Sequence, residues 1–139
     1  MSDCRLYRVI MPAGDIEVSR RFYARLLDQP GMSVSPGRHY FRCGGVVLAV
    51  YSPAQDGDPT SPNPNFGHVY FSADDLDALF ARAQALSCLE SAFGDGGLPM
   101  GEIAVRPWGE RSFYAMDPFG NPLCFVDSVT LFTGRPADS

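Results

Sequence analysis

The sequence predicts an α+β fold in which two βαβββ modules follow one another within a single domain, residues 1–139. The length of 139 residues fits one domain. Apolar runs of strand length are bounded by Gly, Pro and Asn, and two segments with helical periodicity each follow an aspartate. The expected layout is a module at 5–51, a linker at 52–65, a module at 66–127 and a C-terminal tail at 128–139.

The first module begins with an apolar run at residues 6–11, which predicts a strand. Asp15 then serves as the N-cap of a helix, and apolar side chains four residues apart give that helix one apolar stripe. The helix is expected to end near Asp28, because the Pro-Gly pair that follows cannot continue it. Three short strands separated by Pro-Gly and Gly-Gly turns are then predicted at 32–35, 38–43 and 46–51.

The second module repeats this order after a polar, proline-rich segment. A strand is predicted at 66–72, and Asp75 is the expected N-cap of a helix with apolar residues at helical spacing. A Gly-rich loop follows at 94–97. Three further strands are predicted at 102–106, 111–116 and 122–127.

Composition excludes several classes of partner. The net charge is -5, from 11 Lys+Arg and 16 Asp+Glu, and there is no basic run, so nucleic acid and anionic membrane surfaces are not expected partners. No signal-peptide core and no membrane-spanning stretch is present. The four cysteines are far apart without a C-x-x-C pair, which favours reduced thiols and a cytoplasmic location.

Residues 114–126 are the most informative segment, because they predict two strands joined by a tight turn that contains Asp117, Gly120 and Asn121. This hairpin resembles the closing hairpin of the vicinal-oxygen-chelate superfamily, which includes glyoxalases, bleomycin-resistance proteins and extradiol dioxygenases. In the metal enzymes of that superfamily a glutamate usually stands three residues after the asparagine. Here that position is Cys124.

The resemblance extends over residues 6–127 and implies a curved mixed sheet around a ligand-binding cleft. It also implies four inward positions that supply metal ligands in the metal-dependent members: Arg8, Leu48, His68 and Cys124. Only His68 is a routine ligand for a divalent metal, since a guanidinium cannot coordinate and leucine has no donor atom. We therefore expect neither a metal nor another cofactor.

Three of these positions have alternative interpretations. Arg8 is expected to bind a carboxylate, enolate or phosphate of a ligand, or else to pair with an internal carboxylate or extend to water. His68 contacts the ligand or is a structural histidine. Cys124 faces the ligand or is a small buried residue. The second histidine, His39, is expected at the edge of its strand.

Three further candidates come from the second module. Ser112 and Tyr114 are two residues apart and share one face of their strand; the matching tyrosine of fosfomycin-resistance members faces the substrate, and the alternative is a core tyrosine. Trp108, the single tryptophan, lies in a Pro-Trp-Gly stretch similar to that of bleomycin-resistance-like members. It forms either an aromatic wall for a planar ligand or an apolar plug. Most of the other aromatic residues, a set that includes Phe41, Phe66, Tyr70 and Phe113, are expected in the core, and a minority of them are expected to line the cleft.

The leading hypothesis is a protein that binds a small aromatic or oxygen-rich, anionic molecule in a metal-free cleft, as a homodimer. The alternatives are a metal-dependent glyoxalase-type lyase or isomerase or a dioxygenase, and a metal-free enzyme in which Arg8 stabilises an enolate and His68 moves a proton. The fold that the resemblance implies hosts all three.

Overall fold

The chain folds into two compact units, of which a computed structural model describes residues 2–134. The first unit comprises Met1–His68 and Met116–Pro122, and the second comprises Val69–Ala115 and Leu123–Ser139. The predicted α+β fold class is confirmed, since the described residues form two four-stranded mixed sheets and two α-helices in the order βαβββ, βαβββ. Residues 135–139, the end of the predicted tail, lie outside the described part.

The first sheet has the strand order β1-β4-β3-β2. Strand β1 runs parallel to β4, and β4 pairs antiparallel with β3, which pairs antiparallel with β2. The elements of this module are β1 (Arg8–Pro12), α1 (Ile16–Leu26), β2 (Met32–Ser35), β3 (Arg38–Cys43) and β4 (Val46–Tyr51).

The second sheet repeats this arrangement with the order β5-β8-β7-β6, in which β5 and β8 are parallel. Its elements are β5 (Val69–Ala73), α2 (Leu76–Ala85), β6 (Ala104–Val105), β7 (Arg111–Met116) and β8 (Pro122–Asp127). Within residues 2–134, neither helix has the length and apolar character that crossing a bilayer requires.

Both helices begin at the predicted aspartates. The Asp15 carboxylate accepts from Glu17 N at 2.9 Å, and the Asp75 carboxylate accepts from Ala78 N at 3.0 Å, which satisfies amides at the helix N-termini. Helix α1 ends at Leu26, slightly before the predicted position, because Asp28 adopts a left-handed φ of 54°.

One face of each sheet packs against its helix. In the first unit, Phe41 of β3 lies 6.1 Å from the ring of Tyr23 in α1. In the second unit, the rings of Phe113 and Phe125 stack 5.2 Å apart, and Phe80 of α2 meets Phe113 edge to face. These aromatic rings form the apolar core of each unit. The opposite face of each sheet is left for side chains that do not pack against the helix.

The turn of the last hairpin belongs to the first unit and contains a buried polar network. The Asp117 carboxylate accepts from the Tyr23 hydroxyl and from the amide of Asn121, both at 2.7 Å. The Asn121 side chain also donates to Pro12 O at 2.7 Å and accepts from Asn65 N at 2.8 Å. Because Asn121 is fully buried, these bonds satisfy its polar atoms and fasten the end of β1.

Two strand boundaries differ from the predictions. The strand predicted at 66–72 begins only at Val69, and Phe66, which the prediction placed in this strand, is fully exposed. The strand predicted at 102–106 is reduced to Ala104–Val105, because backbone carbonyls just before it bond the Arg106 side chain instead of a neighbouring strand.

The prediction that His39 lies at a strand edge is wrong. Strand β3 is an interior strand between β4 and β2, so the His39 side chain is enclosed and 6% exposed. Its Nε2 lies 2.9 Å from Pro30 O, and its ring is 5.0 Å from that of Phe41. His39 is therefore a structural histidine of the first unit.

Candidate functional site

The face of the second sheet that points away from α2 brings three predicted site residues together. Ser112, Tyr114 and Cys124 are 1%, 6% and 1% exposed. The Cys124 thiol is hydrogen-bonded to the hydroxyls of Tyr114 and Ser112. Tyr70, which pairs with Cys124 across β5 and β8, extends this network through its contact with the Tyr114 hydroxyl. The network therefore runs from Tyr70, which is 58% exposed, into the interior of the unit.

Arg106 forms the floor of this network and is 4% exposed. Its Nε donates to Ser112 Oγ at 3.0 Å, and its guanidinium carbon lies 5.1 Å from the centre of the Tyr114 ring. Its other nitrogen atoms donate to four backbone carbonyls, at 2.8–3.3 Å, those of Pro99, Met100, Glu102 and Ser112. Within residues 2–134 no carboxylate forms a salt bridge with Arg106, so the carbonyl dipoles, the Ser112 hydroxyl and the Tyr114 ring offset its charge.

Burial favours the protonated forms of the Cys124 thiol and the Tyr114 hydroxyl. Burial raises the pKa of Cys124 to about 11, although hydrogen bonds from Tyr114 and Ser112 and the charge of Arg106 act in the opposite direction. Burial also raises the pKa of Tyr114, with Cys124 and Tyr70 as further causes. At neutral pH both groups are neutral hydrogen-bonding groups rather than anions.

A pocket of about 520 Å³ opens beside this network, entirely within the second unit. It is lined by aromatic, polar and acidic side chains, among them Tyr70, Ser72, Trp108, Glu110, Val126 and Phe132. Its volume lies in the range of small-molecule sites. The predicted aromatic-wall residue Trp108 therefore faces a pocket rather than closing an apolar core.

The turn between β6 and β7 orients Trp108 and Glu110. Arg106 N donates to Glu110 O at 2.8 Å, and Gly109 N donates to Arg106 O at 2.8 Å. Gly109 has a φ of 98°, which side chains rarely permit. Trp108 Nε1 donates to Glu110 Oε1 at 2.8 Å, and Phe132 N donates to Glu110 Oε2 at 2.9 Å. The carboxylate is therefore fixed from both sides at the pocket wall.

Arg8 and His68 belong to the first unit. Arg8 is exposed on β1, donates to the Tyr7 hydroxyl at 2.7 Å, and lies over the rings of Tyr7 and Tyr40 at 4.8 and 5.5 Å. His68 is exposed and immediately precedes β5. Within the second unit, the pocket and the buried network hold the other predicted residues.

The pairing of the strands corrects one of the four predicted inward positions, Leu48. Ile10 pairs with Ala49 in the first sheet as Tyr70 pairs with Cys124 in the second, so Ala49 is the counterpart of Cys124. Leu48 points to the opposite face, because it pairs with Phe41, which packs against α1. Like leucine, alanine supplies no donor atom.

The residues present do not fit a divalent metal centre. Arg8 and Ala49 cannot coordinate, which leaves only two of the four positions with a donor atom, fewer than the three protein ligands of a usual catalytic site. Across residues 2–134, no three side chains of His, Cys, Asp or Glu come together as a set that could hold a metal ion.

Sequence reasoning missed three residues of this site: Arg106, Tyr70 and Glu110. Tyr70 was detectable, because it lies two residues after His68 and therefore on the same strand face. Glu110 lies two residues after Trp108 in the same turn, but nothing local shows that their side chains bond. The burial of Arg106 depends on carbonyls of the preceding connection, a segment without a periodic pattern.

One family model matches most of the chain. The model of the Glyoxalase/Bleomycin resistance protein/Dioxygenase superfamily matches residues 5–125. No curated protein matches the chain.

Three solved structures illustrate the likeness in fold. The chain is similar to the lactoylglutathione lyase of Agrobacterium tumefaciens, with 23% identity, a TM-score of 0.65 and coverage of 92% of this chain and 97% of that one. A glyoxalase/bleomycin resistance protein from Albidiferax ferrireducens T118 gives 23% identity, a TM-score of 0.68 and coverage of 94% and 98%. TioX from Micromonospora sp. ML1 gives 18% identity, a TM-score of 0.60 and coverage of 90% of this chain and 99% of that one. At these identities the likeness is one of fold.

Proposed function

Because the chain belongs to the glyoxalase/bleomycin resistance protein/dioxygenase superfamily, we propose that it binds a small planar aromatic molecule, without a metal, in the pocket of its second unit. The observation that carries this proposal is the lining of the pocket. The rings of Tyr70, Trp108 and Phe132 offer flat apolar surface, and each side chain is partly exposed, at 58%, 38% and 49%.

The buried network beside the pocket supports binding rather than catalysis. Nucleophilic or general-base chemistry needs a group that ionises near the working pH. The pKa of Cys124 is raised to about 11 and that of Tyr114 is also raised. These groups instead hold the position of Tyr70, whose hydroxyl is in reach of a ligand at the pocket.

The first test is to identify what the purified protein carries. Native mass spectrometry and metal analysis on protein prepared without a histidine tag are expected to give less than about one-tenth of a divalent metal ion per chain. About one zinc, nickel, iron or manganese ion per chain, with loss of stability on chelation, would support the metal-dependent enzyme instead.

The second test uses Trp108, which gives a single indole N–H resonance because it is the only tryptophan. A small library of bicyclic aromatic compounds is expected to contain members that shift this resonance saturably. Calorimetric titration of the same compounds then compares variants that lack the indole: Trp108→Phe should retain much of the affinity and Trp108→Ala should lose about tenfold or more, because phenylalanine preserves a stacking surface. Equal affinities for the two variants would remove Trp108 from the site.

We also propose that the protein is a cytoplasmic homodimer. Its four cysteines are free thiols, which suits a reducing compartment. Only 19% of its residues are charged, and large apolar side chains such as Phe66 and Phe93 are exposed, as is common where subunits meet. Light scattering at tens of micromolar protein should give twice the chain mass; the mass of a single chain would refute the dimer.

A further inference from the structure

We propose that the pocket of the second unit selects aromatic ligands that carry a positive charge, and that the Glu110 carboxylate recognises this charge. The inference rests on the proposed function, because it assigns a ligand class to the same pocket. The expected ligands are small aromatic amines, amidines or cationic heterocycles.

Glu110 is a fixed carboxylate whose charge is not neutralised by a neighbour. Its two partners, the Trp108 indole N–H and the Phe132 amide, are neutral donors at 2.8 and 2.9 Å. Each carboxylate oxygen can accept about two hydrogen bonds, so one acceptor position on each oxygen is left for a ligand. A carboxylate already held in place loses little conformational entropy when it binds a donor.

The arginines closest in sequence to Glu110 are committed to other partners. Arg106 donates to Ser112 and to backbone carbonyls. Arg111 bonds the carboxylates of Asp77 and Asp127 at 2.9 and 3.1 Å. Among the described residues, 2–134, no basic side chain forms a salt bridge with Glu110. A ligand cation would supply the missing counter-charge.

The aromatic walls favour the same sign of charge. A cation within about 6 Å of an aromatic ring face is attracted by the ring quadrupole, and Tyr70, Trp108 and Phe132 all line the pocket. The net charge of -5 adds a longer-range attraction for cations. An anionic ligand in this pocket would meet a fixed negative charge of the same sign.

The experiment compares three probes that share one ring system: 1-naphthylmethylammonium, neutral 1-naphthalenemethanol and anionic 1-naphthoate. Each is titrated into the full chain while the Trp108 indole N–H resonance is followed. The ammonium probe should bind about tenfold more tightly than the alcohol, and naphthoate most weakly. In Glu110→Gln the ammonium probe should lose about tenfold, whereas the alcohol should change by less than about threefold.

Glu102→Gln is the matched control, because it removes the same charge from an exposed side chain of the same unit. It should leave all three affinities within about twofold of wild type, apart from a small salt-dependent change for the charged probes. Equal losses of ammonium and alcohol in Glu110→Gln would overturn charge recognition while leaving the aromatic pocket intact. If no probe shifts the indole resonance at millimolar concentration, the proposed pocket and its charge preference both fail.

Discussion

The two units each place an arginine against tyrosine rings, but the two arginines have opposite surroundings. Arg8 in the first unit is exposed and lies over Tyr7 and Tyr40. Arg106 in the second unit is 4% exposed, lies beneath Tyr114 and donates to four carbonyls. The contrast shows that the repeated strand and helix order does not decide where a charge is buried.

The connection after the helix explains the difference. In the first unit, residues 27–31 lead directly from α1 to β2. In the second unit, residues 86–103 separate α2 from β6, and this longer connection supplies the carbonyls of Pro99, Met100 and Glu102. Carbonyl oxygens can hold a guanidinium away from water where no carboxylate is available. The second sheet face therefore gains a buried cation.

The largest difference in stability is expected between variants that lack one or the other of these two arginines. Arg106→Met leaves several carbonyls without their donor and should lower the free energy of unfolding by about 3–5 kcal/mol. Arg8→Met should cost less than about 1 kcal/mol, because Arg8 is exposed. Urea unfolding of both variants measures the comparison. Similar losses of unfolding free energy in the two variants would mean that the carbonyl contacts do not stabilise the buried Arg106.

The second largest difference in stability is expected between variants in the turns of the last hairpin of each module. Asn121→Ala removes bonds to Pro12, Asn65 and Asp117 from a fully buried site and should cost about 2–3 kcal/mol. Gly45→Ala in the corresponding turn of the first βαβββ module meets no atom within 4 Å and should stay within about 0.5 kcal/mol of wild type. Thermal unfolding of the two variants tests this, and a small effect at Asn121 would contradict the role of the network.

The anion contact hypothesised for Arg8 has its own test. Recognition of a cation by Glu110 predicts that Arg8→Met leaves 1-naphthoate within about twofold of wild type. A contact from Arg8 would instead make this variant weaken 1-naphthoate by roughly tenfold to a hundredfold and leave 1-naphthalenemethanol nearly unaffected, because only the anion gains a charge-assisted bond. Calorimetric titration of both probes measures this. Unchanged naphthoate affinity, or equal losses for both probes, would remove Arg8 from the site and leave Glu110 as the residue that sets the charge preference.

The smallest effect expected is a dependence of stability on pH. The folded pKa of Cys124 is raised to about 11 from an ordinary value near 9, so the folded state holds this proton more tightly than the unfolded state. Stability should therefore be complete below about pH 9 and fall by about 1–2 kcal/mol as the pH rises through 9 to 11.

Cys124→Ala should flatten this part of the pH profile. Cys4, which is exposed, provides the comparison, since Cys4→Ala should leave the profile unchanged. Urea unfolding at a series of pH values measures all three proteins. A profile that is equally steep in Cys124→Ala would assign the dependence to another group.

Local turn and cap chemistry was enough to predict most of the fold. The strands Arg38–Cys43, Val46–Tyr51, Arg111–Met116 and Pro122–Asp127 match their predicted bounds, because Pro-Gly, Gly-Gly and Gly-Asn turns set their ends. The resemblance read from the last hairpin is confirmed by the family model. The start of β5 was predicted incorrectly. The length of β6 was also predicted incorrectly, because the Arg106 side chain bonds the carbonyls of Pro99 and Glu102 just before this strand.

The site was predictable only where it follows strand alternation. Period-two spacing correctly placed Ser112 and Tyr114 on one buried face. The same reasoning failed by one residue at Leu48, because the register between β1 and β4 could not be fixed from either strand alone. Glu110 and Arg106 depend on side chains and carbonyls that meet only in the folded unit.

The network around Asn121 limits how the chain can be divided. A fragment ending at His68 contains all four strands of the first sheet and helix α1, yet it lacks the segment Met116–Pro122 that completes that unit. Without this segment the Tyr23 hydroxyl, Pro12 carbonyl and Asn65 amide lose their partners. The half of the chain that ends at His68 is therefore not a complete folding unit. If two fragments were co-expressed, the second would have to supply the turn at Met116–Pro122.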